Sequence, residues 1–193
     1  IQSYIYTNDK LQATSYLNKF SVLTRLILEQ SNNDLITLED EIKALTLYLE
    51  LEAERFGNKL HYNIQVHEAV MVESIRIPPM LIQPYVENAI KHGLMHSKTT
   101  WNLGIEFNTH HNGLLVVIDD NGVGRKKSGE INRSRHSAHQ SFAMNANQHR
   151  LEILNKGFSD EIGLKVIDKM DSLGQPIGTR VELYIPNSLA KQD

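Results

Sequence analysis

The spacing of hydrophobic residues changes near residue 58, and the first 57 residues show the helical kind. One apolar stripe recurs every three or four positions over 13–27, and a second does so over 38–56. The polar run 31–34 separates them, so the pattern predicts two amphipathic helices joined by a short loop. Such a hairpin cannot bury both stripes alone. Pairing with a second copy in a four-helix bundle would bury them, and packing on the downstream chain is the alternative.

The second helix carries start and stop signals of its own. Thr37 is followed three residues later by Asp40, a spacing that resembles a capping box. Gly57 directly follows the stripe and predicts the end of the helix.

From Leu60 onward, apolar and polar residues alternate, which is typical of half-buried strands. Asn112-Gly113 lies between two such runs and predicts a hairpin. The return strand of this hairpin is nearly continuously apolar, which favours a central position in the sheet. Antiparallel strands with interspersed helices predict an α+β fold with a two-layer α/β sandwich. The predicted strands are 60–66, 101–107, 114–120, 164–167 and 181–185.

Two further helices and one loop are predicted between these strands. A helix runs from about 79 or 80 to 92, and Pro84 either kinks it or marks its effective start. Residues 125–140 are rich in Ser, Arg, Lys, His and Gly and have almost nothing to bury, so a mobile loop is predicted there. A last helix is expected over 142–156, with Gly157 as its cap.

Candidate chemistry is concentrated in the run Glu87-Asn88-Ala89-Ile90-Lys91-His92-Gly93. Asn88, Lys91 and His92 share one face of the predicted helix, because residues three and four apart are neighbours. An amide oxygen is a hard ligand for Mg²⁺, and it adds no negative charge beside a phosphate chain. The ammonium and imidazole groups can donate hydrogen bonds to phosphate oxygens. This face therefore suits a magnesium-bound phosphate chain.

A second motif, Asp119-Asp120-Asn121-Gly122-Val123-Gly124, ends the central apolar run. An ionised Asp120 can only accept hydrogen bonds, which suits the exocyclic amino group of adenine and excludes guanine. Gly122 and Gly124 leave the backbone free to approach a ligand. Taken alone, either motif is explained by a surface amide or an ordinary turn. Together they predict an ATP site.

Composition narrows the alternatives. The 193 residues suit one domain with an appendage or two small domains. A net charge of -3 without a basic block argues against a nucleic-acid partner. The absence of cysteine excludes disulfides, thiol nucleophiles and cysteine zinc sites. The nine histidines include no helical pair with an intervening acid, so they predict no metal site.

Residues 77–93 resemble the N-box of the GHKL superfamily of ATPases, whose fold is also called the Bergerat fold. The closer resemblance is to LytS-like sensor histidine kinases, because 37–42 and 48–56 are similar to the second bundle helix of that family. The resemblance covers essentially the whole chain. It implies a partial helical dimerisation hairpin over 1–57 and an ATP-binding catalytic domain over 58–193.

The resemblance also implies a reaction, cofactors and partners. The γ-phosphoryl group of ATP, held with Mg²⁺, passes to a histidine and then to an aspartate of a response regulator receiver domain. Catalysis of this kind is mostly positioning and charge neutralisation. A homodimer is implied, and nucleic acid is not. This part of the protein would be cytoplasmic without direct membrane contact, in a whole protein anchored in the inner membrane.

Residue roles follow from the same resemblance. Asn88 would coordinate Mg²⁺, and Lys91 and His92 would contact phosphates. Glu87 joins Asn88 as a predicted catalytic residue, and it either orients a nucleophile or supports the helix. Residues 125–140 would form the ATP lid. The other predicted ATP-binding residues are Asp120, Gly122 and Gly124 around adenine, Ser141 after the lid, and Gly178 with Thr179 before the last strand.

The chain departs from the family pattern in two places. Ser141-Phe142-Ala143 stands where the family has a glycine-x-glycine pair, although serine and a helix N-terminus can still bind an anion. Residues 1–60 contain no histidine, and the phosphoacceptor of the family would align just upstream of Ile1. We therefore expect a piece of a longer protein that binds ATP without phosphorylating itself at the usual site. The alternatives are a pseudokinase that works as a dimeric signalling scaffold, and a GHKL protein that hydrolyses ATP as a conformational clamp.

Overall fold

The computed structural model describes residues 10–134, 149–157 and 160–186. The chain forms two compact units, one from the residues up to 60 together with 72–81, the other from 61–71 and the residues from 82 onward. In chain order the elements are α1 (Lys10–Ser31), β1 (Ile36–Thr37), α2 (Leu38–Phe56), β2 (Leu60–Val66), β3 (Arg76–Ile77), α3 (Gln83–Asn88), β4 (Trp101–His110), β5 (Gly113–Asp120), α4 (Gly124–Ser134), α5 (149–156), β6 (Gly163–Met170) and β7 (Pro176–Pro186).

Helices α1 and α2 form the predicted hairpin within the first unit. Leu23 of α1 is buried in a small cluster with Ala44 and Leu51 of α2. Two other members of the first apolar stripe stay outside this cluster, since Leu17 is 47% exposed and Phe20 is 52% exposed. The residues that the structure describes therefore leave part of this stripe uncovered.

The boundaries of α2 are the predicted ones. The Thr37 hydroxyl oxygen accepts a hydrogen bond from the Asp40 backbone N–H at 3.1 Å, and the hydroxyl donates to the Asp40 carboxylate at 2.7 Å. The helix ends before Gly57, whose φ of 62° lies in the left-handed region that favours glycine. The two strands β1 and β3 pair antiparallel within the same unit.

The second unit contains a five-stranded sheet in the order β2-β4-β5-β7-β6. The pairs β4–β5, β5–β7 and β6–β7 are antiparallel. β5 lies in the centre, as its apolar run predicts, and Val116 and Ile118 are buried there. The turn after α3 contacts β5 and β7, and α4 contacts β6 and β7. Helices therefore cover the sheet as a second layer, which confirms the predicted α+β sandwich.

The helix predicted to start at 79 or 80 starts later. Met80 has a φ of 54°, which no right-handed helix accommodates, and α3 begins at Gln83. Pro84 lies in its first turn, where the missing N–H would have no partner in any case. Of the two interpretations of this proline, the one that marks the helix start is confirmed.

The loop predicted over 125–140 is wrong in its first part, because α4 covers eleven residues, Gly124–Ser134. A lack of apolar residues does not prevent a helix rich in Arg, Lys and Glu, which have high helix propensity. The packing of α4 against β6 and β7 adds the tertiary support that a short helix needs. The rest of this loop, like 142–148 of the predicted last helix, lies outside the described residues. Residues 149–156 are helical as predicted, and Gly157 follows in a turn.

No helix in the described ranges is both long and apolar enough to span a bilayer.

Candidate nucleotide-binding site

The centre of the site is the carboxyl group of Asp120, at the end of β5. Asp120 is only 3% exposed. Its Oδ1 accepts hydrogen bonds from the backbone N–H groups of Gly122 at 2.7 Å and Thr179 at 3.3 Å. Its Oδ2 accepts none from the residues that the structure describes. One oxygen is therefore anchored by the backbone, and the other keeps its capacity to accept a hydrogen bond.

Burial raises the pKa of Asp120 to about 6. The backbone N–H groups of Gly122 and Thr179 and the charge of Lys169 lower this pKa, and the neighbouring Asp119 raises it. The carboxyl group is therefore mostly ionised at pH 7, as a buried acceptor with a negative charge. A hydrogen-bond donor placed at Oδ2 would be bound more tightly than in water.

Two glycines let three segments meet at this carboxyl group. A Cβ atom on Gly122 would stand 2.3 Å from the carbonyl carbon of Gly93, and the Val123 N–H donates to the Gly93 carbonyl at 3.2 Å. Gly178 has a φ of 140°, and a Cβ there would stand 1.9 Å from the backbone oxygen of Asp120. No other residue type fits either position without moving the backbone, since such contacts are far inside van der Waals distance.

Asn121 is a residue of the site that the sequence analysis passed over. Its amide oxygen accepts from the Asn102 N–H at 2.8 Å, and its amide nitrogen donates to the Thr100 carbonyl at 2.9 Å. These bonds fix the glycine turn to the start of β4. The clue in the sequence is an asparagine inside a glycine-containing turn, where such side chains commonly bond to the backbone.

The N-box residues occupy α3 and the turns that follow it. After Asn88 the chain continues in a π-helical turn, Ala89–Gly93, and then in a 3₁₀ turn, Leu94–His96. The predicted common face of Asn88, Lys91 and His92 was based on α-helical spacing. A π-helical turn is wider, so Lys91 and His92 are placed differently around the helix axis. Turns of this kind are rare and occur frequently at functional sites.

The Glu87 carboxylate is bound by two neighbouring side chains. Gln83 donates to its Oε1 at 3.1 Å, and the Lys91 ammonium lies 2.6 Å from its Oε2. Both carboxylate oxygens are thus engaged by neighbouring side chains. Asn88 is half-buried, and its side chain makes no hydrogen bond to any described residue. Its amide oxygen therefore fits a magnesium ion that takes its remaining ligands from phosphate and water.

His92 behaves as a neutral group. Burial lowers its pKa, and the nearby His96 and Lys91 lower it further. At neutral pH its imidazole can bond to a phosphate oxygen but does not supply a positive charge. Within the described residues, no group of three or more His, Asp and Glu side chains is arranged to hold a metal ion.

Two ion pairs border the site, and neither was predicted. Arg125, in the first turn of α4, binds both carboxylate oxygens of Asp168 on β6, at 2.8 and 2.7 Å. The next residue of β6, Lys169, donates to the carboxylate of Asp119 and to the backbone oxygen of Asp120, the latter at 3.1 Å.

The structure brings together most of the residues that were predicted to surround adenine. Asp120, Gly122, Gly178 and Thr179 meet directly, and Gly124 follows two residues later with a φ of 75°. Asn88, Lys91 and His92 are connected to this group through Gly93, at the end of their own turn. Ser141 lies outside the described residues.

Comparison with known proteins gives consistent matches. A family model described as histidine kinase matches residues 1–60. The chain is 31% identical over 192 residues to the sensor protein LytS of Staphylococcus haemolyticus. This alignment covers 96% of this chain and 30% of that protein. It is 28% identical over 183 residues to the sensor histidine kinase BtsS of Escherichia coli, with 94% and 29% covered. The chain thus spans about 30% of the length of these curated relatives.

The fold also matches solved structures. The histidine kinase domain of a blue-light activated histidine kinase from Erythrobacter litoralis gives a TM-score of 0.53 at 14% identity, with 95% of this chain and 84% of that chain covered. At this identity the likeness concerns the fold alone.

Proposed function

Because this chain belongs to the family of LytS-like sensor histidine kinases, we propose that it binds ATP with Mg²⁺ and forms the catalytic part of a two-component sensor. In this proposal the γ-phosphoryl group passes to a histidine, which residues 1–60 do not contain, and then to an aspartate of a response regulator receiver domain. The catalytic part forms no covalent bond to the phosphoryl group itself. It holds the phosphate chain in line and neutralises its charge.

The observation that supports ATP most directly is the half-satisfied carboxyl group of Asp120. Its Oδ1 is held by two backbone N–H groups, and Oδ2 is left as an acceptor. Adenine presents an amino group to such an acceptor. Guanine presents a carbonyl oxygen at the same place, which would leave a buried carboxylate without a donor. Sites built around a hydrogen bond of this kind discriminate strongly between analogues.

The remaining roles are assigned from side-chain chemistry. Asn88 holds Mg²⁺ through its amide oxygen, and Lys91 and His92 contact the phosphates, the first as a cation and the second as a neutral donor. Glu87 is the acidic neighbour of the reacting groups. Gly122, Gly124, Gly178 and Thr179 surround the adenine, and Ser141 takes the place of the family's second glycine pair.

Dimerisation through α1 is part of the same proposal. Three apolar residues of α1 are left uncovered by the described part of a single copy, since Leu28 is 62% exposed in addition to Leu17 and Phe20. These three fall on one side of the helix, at intervals of three and eight residues. A second copy of the hairpin would cover them in a four-helix bundle.

A second candidate is a pseudokinase, a dimeric signalling scaffold with weakened or no ATP binding. The observation that favours it is the replacement of the family's second glycine pair by Ser141-Phe142-Ala143.

Calorimetric titration with Mg-ATP and Mg-GTP separates the two candidates. Saturable binding of ATP and not of GTP, lost in Asp120→Asn, is expected for the kinase. Glu106→Gln is the matched control, because it removes one negative charge from an exposed position of β4 and should bind ATP like the wild type. No binding at millimolar nucleotide would overturn the kinase proposal and leave the scaffold.

A further inference from the structure

We propose that Lys169 is a specificity-determining residue of the nucleotide site, which acts through Asp120 and does not touch the nucleotide. The inference rests on the proposed function, because it concerns how the same site distinguishes adenine from guanine. Lys169 lies on β6, an edge strand of the sheet, and belongs to neither of the motifs that predicted the site.

The geometry connects Lys169 to Asp120 from two directions. The ammonium group donates to the backbone oxygen of Asp120 at 3.1 Å and to the carboxylate of the preceding Asp119. The same backbone oxygen faces Gly178, where a side chain would not fit. Lys169 thus fixes the end of β5 at the residue whose carboxyl group reads the base.

The charges of Lys169 and Asp119 affect the protonation of Asp120. Asp119 acts on the Asp120 carboxyl group from its own strand and favours its protonation, whereas Lys169 from β6 favours its ionisation. The other packed segments present the backbone, with the N–H of Thr179 from β7, the N–H of Gly122 from the glycine turn and the main chain of Gly93 from the π turn. Lys169 is therefore the positive charge that opposes burial and Asp119 at this carboxyl group.

The protonation state decides which base fits. An ionised Asp120 only accepts hydrogen bonds and so matches the adenine amino group. A protonated Asp120 carries an O–H donor, which matches the carbonyl oxygen of guanine. By keeping Asp120 ionised at neutral pH, Lys169 preserves the preference for adenine.

The test is the ratio of Mg-ATP to Mg-GTP affinity between pH 5 and pH 8, measured by calorimetry on the whole chain. The phosphates of the two nucleotides titrate alike, so the ratio isolates the base. In the wild type the ATP affinity should fall as pH drops through about 6, the pKa of Asp120 in the nucleotide-free protein, and the ratio should fall with it. In Lys169→Met the fall should occur at higher pH, by about one pH unit. The Asp120 carboxyl resonance, followed by ¹³C NMR in the nucleotide-free protein, should shift its midpoint in the same direction.

Three variants sharpen the result. Lys165→Met removes the same charge from the same face of β6, where Lys165 is 70% exposed and paired with Glu182, and it should keep the wild-type midpoint. Lys169→Arg keeps the charge and should also stay near the wild type. Lys169→Gln keeps a hydrogen-bond donor without the charge and should move the midpoint as Lys169→Met does. If Lys169→Met does not fold, Lys169→Gln replaces it in the test.

An unchanged midpoint in Lys169→Met and Lys169→Gln, or an equal loss of ATP and GTP affinity at every pH, would overturn the inference and leave Lys169 a structural residue. Either result leaves the proposed function intact when the wild type binds ATP. Absence of ATP binding by the wild type would overturn both.

Discussion

Gly122 lies so close to Gly93 that a single added carbon would stand 2.3 Å from the Gly93 carbonyl carbon. Gly93 ends the turn that carries Lys91 and His92, the residues proposed to contact phosphates, and Gly122 belongs to the turn that follows Asp120. The contact between the two glycines therefore sets the distance between the two halves of the proposed site.

Gly122→Ala should lower both stability and ATP affinity, because its Cβ must displace backbone. We expect a loss of about 2–4 kcal/mol in the free energy of unfolding, measured by urea denaturation. Gly129→Ala is the control. Gly129 lies in α4 with open space around it, so alanine there should stabilise the chain by about 0.5–1 kcal/mol through helix propensity. Equal effects of the two substitutions would contradict the assigned contact.

Asp120→Asn should abolish ATP binding and yet stabilise the fold at neutral pH. The folded-state pKa of about 6 lies above the ordinary value of 3.8, so the ionised form is disfavoured in the folded chain. The wild type therefore loses stability as pH rises from about 4 to 6, and asparagine, which keeps an oxygen for the two N–H donors, does not. The variant should gain about 1–3 kcal/mol at pH 7.5 and nothing below pH 4. Urea denaturation at both pH values measures this, and a loss of stability at pH 7.5 would refute it.

The Arg125–Asp168 pair should couple α4 to β6. A double-mutant cycle with alanine should give a coupling energy of about 0.5–1 kcal/mol, since both side chains are partly exposed. Arg125 lowers the pKa of Asp168, so this coupling is fully present above the ordinary pKa of an aspartate. It disappears as pH falls through the lower folded-state value, and salt should weaken it.

Hydrogen exchange provides the positional control for that pair. Arg125→Ala should speed amide exchange in α4 and leave β7 unchanged. Removing Glu182, which pairs with Arg180 on its own strand β7 and with Lys165 of β6, should not affect α4. Unchanged exchange in α4 after loss of Arg125 would show that packing alone holds this helix.

Lys19 should stabilise the helical hairpin. Its ammonium group on α1 lies 2.6 Å from Glu54 and 2.9 Å from Glu50 on α2. Hydrogen bonds to Glu54 and Glu50 raise its pKa, so the contribution is complete below the ordinary lysine pKa and is lost only as pH rises through the folded-state value. Lys19→Met should cost about 1 kcal/mol at pH 7 by thermal denaturation. Lys43→Met, whose partners lie on its own helix, should cost less.

Phe20→Glu should dissociate the proposed dimer. The substitution places a charge on the uncovered side of α1, where a second hairpin would pack. Sedimentation equilibrium should give the mass of one chain for the variant and of two for the wild type. Leu173→Ser is the control, since Leu173 is an 83% exposed apolar residue in the turn before β7 and should leave the dimer intact. A monomeric wild type would remove dimerisation through this face from the proposal.

Sequence patterns correctly predicted the structural features that depend on interactions between nearby residues. The capping pair Thr37 and Asp40, the stop at Gly57 and the alternation in β4 each depend on residues a few positions apart, and all three are confirmed. The hairpin at Asn112-Gly113 is confirmed as well, although Gly113 already pairs with His110.

Contacts between distant segments were beyond such prediction. α4 was missed because its support comes from β6 and β7, about forty and fifty residues away. The positions of Lys169 and Asn121 depend on strand register, which no local pattern determines. The π turn after Asn88 was missed because the spacing of apolar residues indicates a helix but does not indicate where its pitch changes locally.

The place of Asp120 at the end of the central strand has a consequence for evolvability. Separating this end of β5 from the sheet requires breaking its hydrogen bonds to both β4 and β7. The backbone around Asp120 therefore opens only when the sheet itself unfolds. In the proposed function, this part of the site would therefore need little ordering when a nucleotide binds. In the proposed function, substitutions at sequence positions outside this strand, such as Ser141 and Ala143, can therefore alter turnover while the carboxyl group that binds adenine stays in place.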